Sequence, residues 1–96
     1  MPHRVVVTRL AEDDLEAIGD YSARENRRAA FALISRIRDR IAGLADYPER
    51  YRLRPQLGRS YRVLVIDAYV VVYRVAGDTV YVMRVFHGAR DYRRHL

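Results

Sequence analysis

No cysteine occurs in the 96-residue chain, so a disulfide scaffold, a thiolate nucleophile and a cysteine zinc site are all excluded. Lysine is absent too. All 18 basic residues are arginine, whose planar fork suits phosphate or carboxylate, although genomic base composition accounts for the bias equally well. Long apolar runs are also lacking: the longest, around Tyr69 to Tyr73 and Val80 to Phe86, are interrupted by Arg74 and Arg84 and fall far short of the roughly 18 residues of a membrane span. Met1 to Thr8 carries no long apolar core followed by a small-residue cleavage site, so an intracellular, cytoplasmic protein without membrane association is expected. A glycine-rich phosphate loop, a Gly-x-Ser-x-Gly elbow and a histidine pair spaced to grip zinc from one helix are missing as well. His3, His87 and His95 are the only imidazoles, and neither a metal site nor a cofactor is expected.

What is present fits one small domain spanning residues 1–96. Half of the residues are hydrophobic, with eight Tyr and two Phe, so a thin core can form. The formal charge of +6 is confined to the second half: residues 1–48 hold 8 Arg and 8 acids, residues 49–96 hold 10 Arg and 4 acids. That excess favours an anionic partner, either nucleic acid or an acidic protein segment.

His3 to Val7 is β-branched and reads as a short strand, ended by Thr8, whose hydroxyl can cap the helix that follows. Glu12, Asp13, Asp14 and Glu16 then sit where acids favour the positive end of the macrodipole. Ala11, Leu15, Ile18 and Tyr21 or Ser22 form the apolar stripe of this helix, which ends near Arg24. Asn26 can cap a second helix running to about Ala45, with the stripe Ala30, Ile34, Ile37, Ile41 and Leu44 widened by Phe31 and Leu33. A connecting loop with a short strand at Tyr51 to Arg54 leads to three strands, Tyr61 to Ile66, Tyr69 to Val75 and Thr79 to Phe86. Their separators, Asp67-Ala68 and Ala76-Gly77-Asp78, are too short for parallel crossovers, so the strands form an antiparallel meander. The order β-α-α-β-β-β predicts an α+β domain, a two-helix hairpin on one face of an antiparallel sheet with the other face partly open. Tyr61, Arg62, Tyr69, Tyr73, Arg74, Tyr81 and Arg84 can line that face, although alternation parts Tyr73 from Arg74.

Two segments concentrate chemistry. Arg50, Arg52, Arg54, Arg59 and Arg62 carry five positive charges with no intervening acid beside Tyr51 and Tyr61, a pattern that suits single-stranded nucleic acid or an acidic protein tail. At the carboxyl end, His87-Gly88-Ala89-Arg90-Asp91-Tyr92-Arg93-Arg94 presents Arg, His and Tyr together. This reads either as an anion or RNA site or as a solvated tail.

Thr8, Ala11, Asp14-Leu15, Ile18 and Tyr21 in the first helix, Asn26 with Ala29-Ala30 opening the second, and Leu44 with Pro48 closing it are joined by Tyr69 to Arg74 and Val85 to Asp91. In this order and spacing, over roughly residues 4–92, the chain resembles the RelE/ParE superfamily of toxins from type II toxin–antitoxin pairs. The RelE-like branch implies ribosome-dependent mRNA cleavage by Arg, Lys and Tyr. Here the strand position of one such arginine is Val70, the loop lysines are missing, and the late tyrosine falls at about Leu96; Arg90 matches, and Tyr92 and His87 are the remaining candidates for catalysis. The His87 to Asp91 ending looks more like the ParE branch, which implies a non-enzymatic inhibitor of DNA gyrase that arrests growth and serves plasmid maintenance. The favoured expectation is therefore a ParE-like gyrase poison, with a RelE-like endoribonuclease acting on the ribosome and mRNA as the alternative. The resemblance also implies a ParD-like antitoxin forming a hetero-oligomer with the toxin. Arg59, Arg62, Arg74, Arg84, His87, Arg90, Arg93 and Arg94 are the expected target or anion contacts; Leu15, Ile18, Tyr21, Ile34, Tyr51, Arg52 and Arg54 are the expected antitoxin contacts.

Overall fold

The computed structural model describes residues 2–58 and 60–88, and the sites expected at Arg59, Arg90, Tyr92, Arg93 and Arg94 lie outside the described residues. The elements follow the order β1 (Arg4–Val7), α1 (Arg9–Ala23), α2 (Arg27–Ala42), β2 (Tyr61–Ile66), β3 (Tyr69–Ala76) and β4 (Thr79–His87), with single 3₁₀ turns at Gly43–Ala45, Pro48–Arg50 and Pro55–Leu57. Both helices start where a short polar side chain can replace a missing backbone acceptor: the Ala11 N–H donates to Thr8 Oγ1 and the Ala29 N–H to Asn26 Oδ1.

The sheet order is β1-β4-β3-β2. Strands β2, β3 and β4 are the antiparallel meander that their two-residue turns require, and positive φ at Asp67 and Gly77 matches the twist of such hairpins. The expectation of a wholly antiparallel sheet is corrected at one edge, where β1 pairs parallel to β4 from Arg4↔Thr79 to Val7↔Val82. The helical hairpin supplies the long crossover that a parallel pair needs, so the sheet is mixed.

One face carries the main core. Ala11 and Leu15 of α1, with Ile37 and Ile41 of α2, pack on Leu64, Ile66, Val71, Tyr73, Val80, Val82 and Val85. Phe31 does not widen the apolar stripe of α2; it is 77% exposed. On the opposite face Val63, Val70, Val72 and Phe86 form a second buried cluster with Tyr61 against it, so the centre of that face is closed, while Val65 at the β2 edge is exposed.

A bulge in β4 sets which side chains reach which face. Tyr73 pairs with Val82 and Val72 with Arg84, so Met83 is an extra residue and alternation restarts after it. Unbroken alternation would aim Arg84 into the same core as Val80 and Val82. The bulge sends Val85 there and turns Arg84 outward, over the Phe86 ring at 4.8 Å.

The Tyr73 side chain is fully buried, and its hydroxyl donates to the Pro48 carbonyl, pinning the loop after α2 onto the sheet. Burial is the main reason its pKa is pushed from 10.0 up to about 12; Arg62 opposes the shift, and Tyr51 and Glu49 add to it. An acid whose folded pKa lies above its unfolded value keeps full stability below the unfolded pKa and loses it as pH rises towards the folded one. We expect urea stability to fall by roughly 2–3 kcal/mol between about pH 10 and 12 from this phenol alone. Tyr73→Phe should flatten that fall, and an equally steep decline in the variant would assign it elsewhere.

Candidate functional site

At the end of the sheet where β3 begins and β4 finishes, the helical hairpin stands over an apolar groove of about 590 Å³. Ala17, Ile18, Tyr21 and Ser22 of α1, the connecting Glu25 and Asn26, and Ala29 and Leu33 of α2 form its walls, with Tyr69 and His87 from the sheet. The Tyr69 and His87 rings meet edge to face, centroids 5.0 Å apart. Gly19 lets the helices close behind it: a Cβ there would stand 3.3 Å from Ile34. Tyr21 is 73% exposed beneath the Arg24 guanidinium. A large aromatic lying open to solvent beside a groove is an unpaired apolar surface of the kind that binds a partner's side chains.

The residues expected to contact an antitoxin fall in three places. Ile18 and Tyr21 line the groove, and Ile34 packs behind it against the core. Leu15 is 1% exposed and belongs to the core, because it lies on the stripe that faces the sheet, so it has no surface to offer a partner. Tyr51, Arg52 and Arg54 lie instead along the outer edge of β2, where the Arg54 N–H donates to the Tyr61 carbonyl, the Val63 N–H to the Arg52 carbonyl, and Leu53 bridges Arg62.

The cations expected to form one anion surface are likewise separated. Arg62 is turned back into the fold, donating to the carbonyls of Glu49 and Tyr51. Arg84 donates through Nε and Nη2 to the two oxygens of Asp14, at 2.8 and 3.0 Å, and the Val85 N–H donates to the same carboxylate at 2.9 Å. That hydrogen bond to Asp14 holds the Arg84 guanidinium firmly charged, against a smaller opposing effect of burial. His87 lies with Tyr69 at the groove. Arg74 alone of the four keeps to the far face without a carboxylate, stacked 5.4 Å above Tyr81.

Asp14 therefore has a different role from the helix-dipole partner that its position in α1 suggested. Strand β1 stops opposite Val82, leaving the β4 edge beyond it unpaired, and the Asp14 carboxylate takes the place of the missing strand. Thr8 fixes the same junction, its hydroxyl donating to the Val82 carbonyl while it caps α1. Among the described residues no three His, Asp or Glu side chains converge as a metal site, and no helix is long and apolar enough to cross a membrane.

Residues 5–92 match the family described as the ParE toxin of the type II toxin–antitoxin system parDE. The chain is 38% identical over 87 residues to Toxin RelE2 of Caulobacter vibrioides, covering 91% of this chain and 97% of that one. A structure described as the chromosomal ParDE TA system from P. aeruginosa superposes with a TM-score of 0.80 at 21% identity, covering 90% of this chain and 96% of that one. The toxin–antitoxin complex RelBE2 from Mycobacterium tuberculosis gives a TM-score of 0.64 at 25% identity, covering 93% and 94%. With this match over nearly its whole length, the chain belongs to the ParE toxin family of type II toxin–antitoxin systems.

Proposed function

We propose that the chain is a binding toxin that inhibits DNA gyrase without cutting nucleic acid, and that a cognate antitoxin neutralises it by laying an apolar segment in the groove between α1, α2 and the sheet. The observation that carries the first part is Val70. It is 2% exposed in the apolar cluster with Val63, Val72 and Phe86, at the position where the resemblance to a RelE-like nuclease calls for a guanidinium. A valine cannot stabilise charge developing on a phosphate. Arg84, the other strand arginine close to that cluster, is held by Asp14 and offers no free fork. The antitoxin reading draws on the two neighbours described as toxin–antitoxin systems and on the open groove beside the exposed Tyr21.

A RelE-like reading has one observation in its favour, the 38% identity to a relative named Toxin RelE2. Expression in cells separates the two. The gyrase reading expects filamentation and double-strand DNA breaks with transcripts intact; truncated mRNA with unbroken chromosomes would contradict it.

A further inference from the structure

Most arginines described along the second helix and the adjoining strands have a carboxylate partner. Arg36 meets Asp67 at 2.8 Å, Arg38 meets Glu12 at 2.7 Å and Arg84 meets Asp14. Arg40, one helical turn beyond Arg36, and Arg50 of the following turn break this pattern: among the described residues neither is ion-paired. Both converge on a neutral atom instead. Arg50 Nη2 donates to the Tyr51 hydroxyl oxygen at 3.1 Å while its guanidinium stands 5.0 Å from the Tyr51 ring centroid, and Arg40 reaches the same oxygen.

The phenol is held in place from below. Its ring packs on the main core, and the Arg62 guanidinium donates to the Tyr51 carbonyl at 2.6 Å. Burial by itself raises the pKa of this phenol, but the hydrogen bonds and charges of Arg40 and Arg50 outweigh it, so the net shift is downward and the O–H is a stronger donor than an ordinary tyrosine. Two guanidinium forks thus share one fixed oxygen whose own proton stays available. Each fork has five N–H donors, of which the phenol uses few.

We propose that Arg40, Arg50 and Tyr51 form a preorganised phosphate cradle that takes a phosphodiester of single-stranded nucleic acid. Two planar forks and a hydroxyl directed at one point match an anion with several oxygens at tetrahedral angles, whereas a carboxylate is saturated by one fork. A stacking surface stands close by in sequence: Tyr47 is 80% exposed and held in the left-handed conformation at φ 53. Base stacking on such a ring beside a backbone-tracking basic groove is the usual form of sequence-tolerant single-strand binding. Arg52, exposed in the next turn of chain, extends the positive track. This site is separate from the groove and from the far face of the sheet, and it stands whichever enzyme the toxin inhibits.

The test is fluorescence anisotropy of the full chain with a labelled 12-nucleotide single-stranded DNA, which lacks the 2′-hydroxyl that a ribonuclease would need, measured across a salt series. Against wild type, Arg40→Gln with Arg50→Gln should lower the magnitude of the log–log salt slope by about 1.4, close to 0.7 per lost phosphate contact. Tyr51→Phe, which keeps the ring and removes the hydroxyl, should weaken binding several-fold with the slope nearly unchanged. Arg27→Gln with Arg28→Gln removes equal charge from exposed positions at the other end of α2 and should change both quantities much less. An equal loss in that control would reduce the effect to net charge and overturn the proposal. So would an oligoglutamate peptide that competes as tightly as the DNA and is equally sensitive to the Arg40 and Arg50 substitutions.

Discussion

Replacing Asp14 by alanine is expected to lower the melting temperature by roughly 10–25 °C, from a loss of about 2–4 kcal/mol in a domain of this size. The side chains of Asp14 and Arg84 are only 16% and 24% exposed, so the ion pair is poorly screened, and its removal strands a guanidinium against the sheet. The same substitution leaves the Val85 N–H without an acceptor on an edge that β1 does not reach. Asp14→Asn keeps one acceptor oxygen and should recover part of the loss. Glu12→Ala breaks the Arg38 pair, whose side chains are 44% and 47% exposed, and is expected to cost no more than about 0.5 kcal/mol. Thermal melts of the three variants decide the matter: equal losses at positions 12 and 14 would mean that Asp14 is an ordinary surface acid.

The second large effect concerns neutralisation. Ala29→Glu is expected to weaken antitoxin binding at least 100-fold, about 3 kcal/mol, because it places a charge in the apolar groove. Folding should survive, since position 29 lies three residues after the Asn26 cap, where glutamate suits a helix start. Ala29→Ser, similar in size and uncharged, should bind nearly as wild type. Calorimetry with the antitoxin encoded beside the toxin gene reads both. Full affinity in the glutamate variant would place the partner on another surface.

Local signals in the sequence were sufficient for the elements. Thr8 and Asn26 mark helix starts by capping chemistry, and Ala30, Ile34, Ile37, Ile41 and Leu44 define the buried side of the second helix by spacing alone. The three long strands were equally legible, because two-residue connections allow only antiparallel neighbours. The parallel placement of β1 was not, since it depends on which edge remains free once the meander has formed. Phe31 was misread because spacing places a residue on a helix flank without saying how far the sheet extends beneath it.

The site was less legible for a related reason. A bulge inserts one residue without a composition signal, so the side of β4 on which Arg84 emerges cannot be read from alternation. Its partner Asp14 lies 70 residues away and looks like any acid early in a helix. Arg62, Arg74, Arg84 and His87 share the chemistry of an anion site, but only the register shows that they point in different directions. Arg40 and Tyr51 meet through tertiary packing, with no motif to announce it. Leu15 and Ile18 are both stripe residues, and only the finished packing separates a core position from a groove wall.

Incubating the purified toxin with gyrase and relaxed plasmid, beside a parallel reaction of the toxin with programmed ribosomes, tests the account most directly. Loss of supercoiling with accumulation of cleaved plasmid, while ribosome-bound mRNA stays whole, is the result expected of a chain with Val70 in place of a phosphate-binding arginine. Full supercoiling at high toxin excess together with cut mRNA would contradict it.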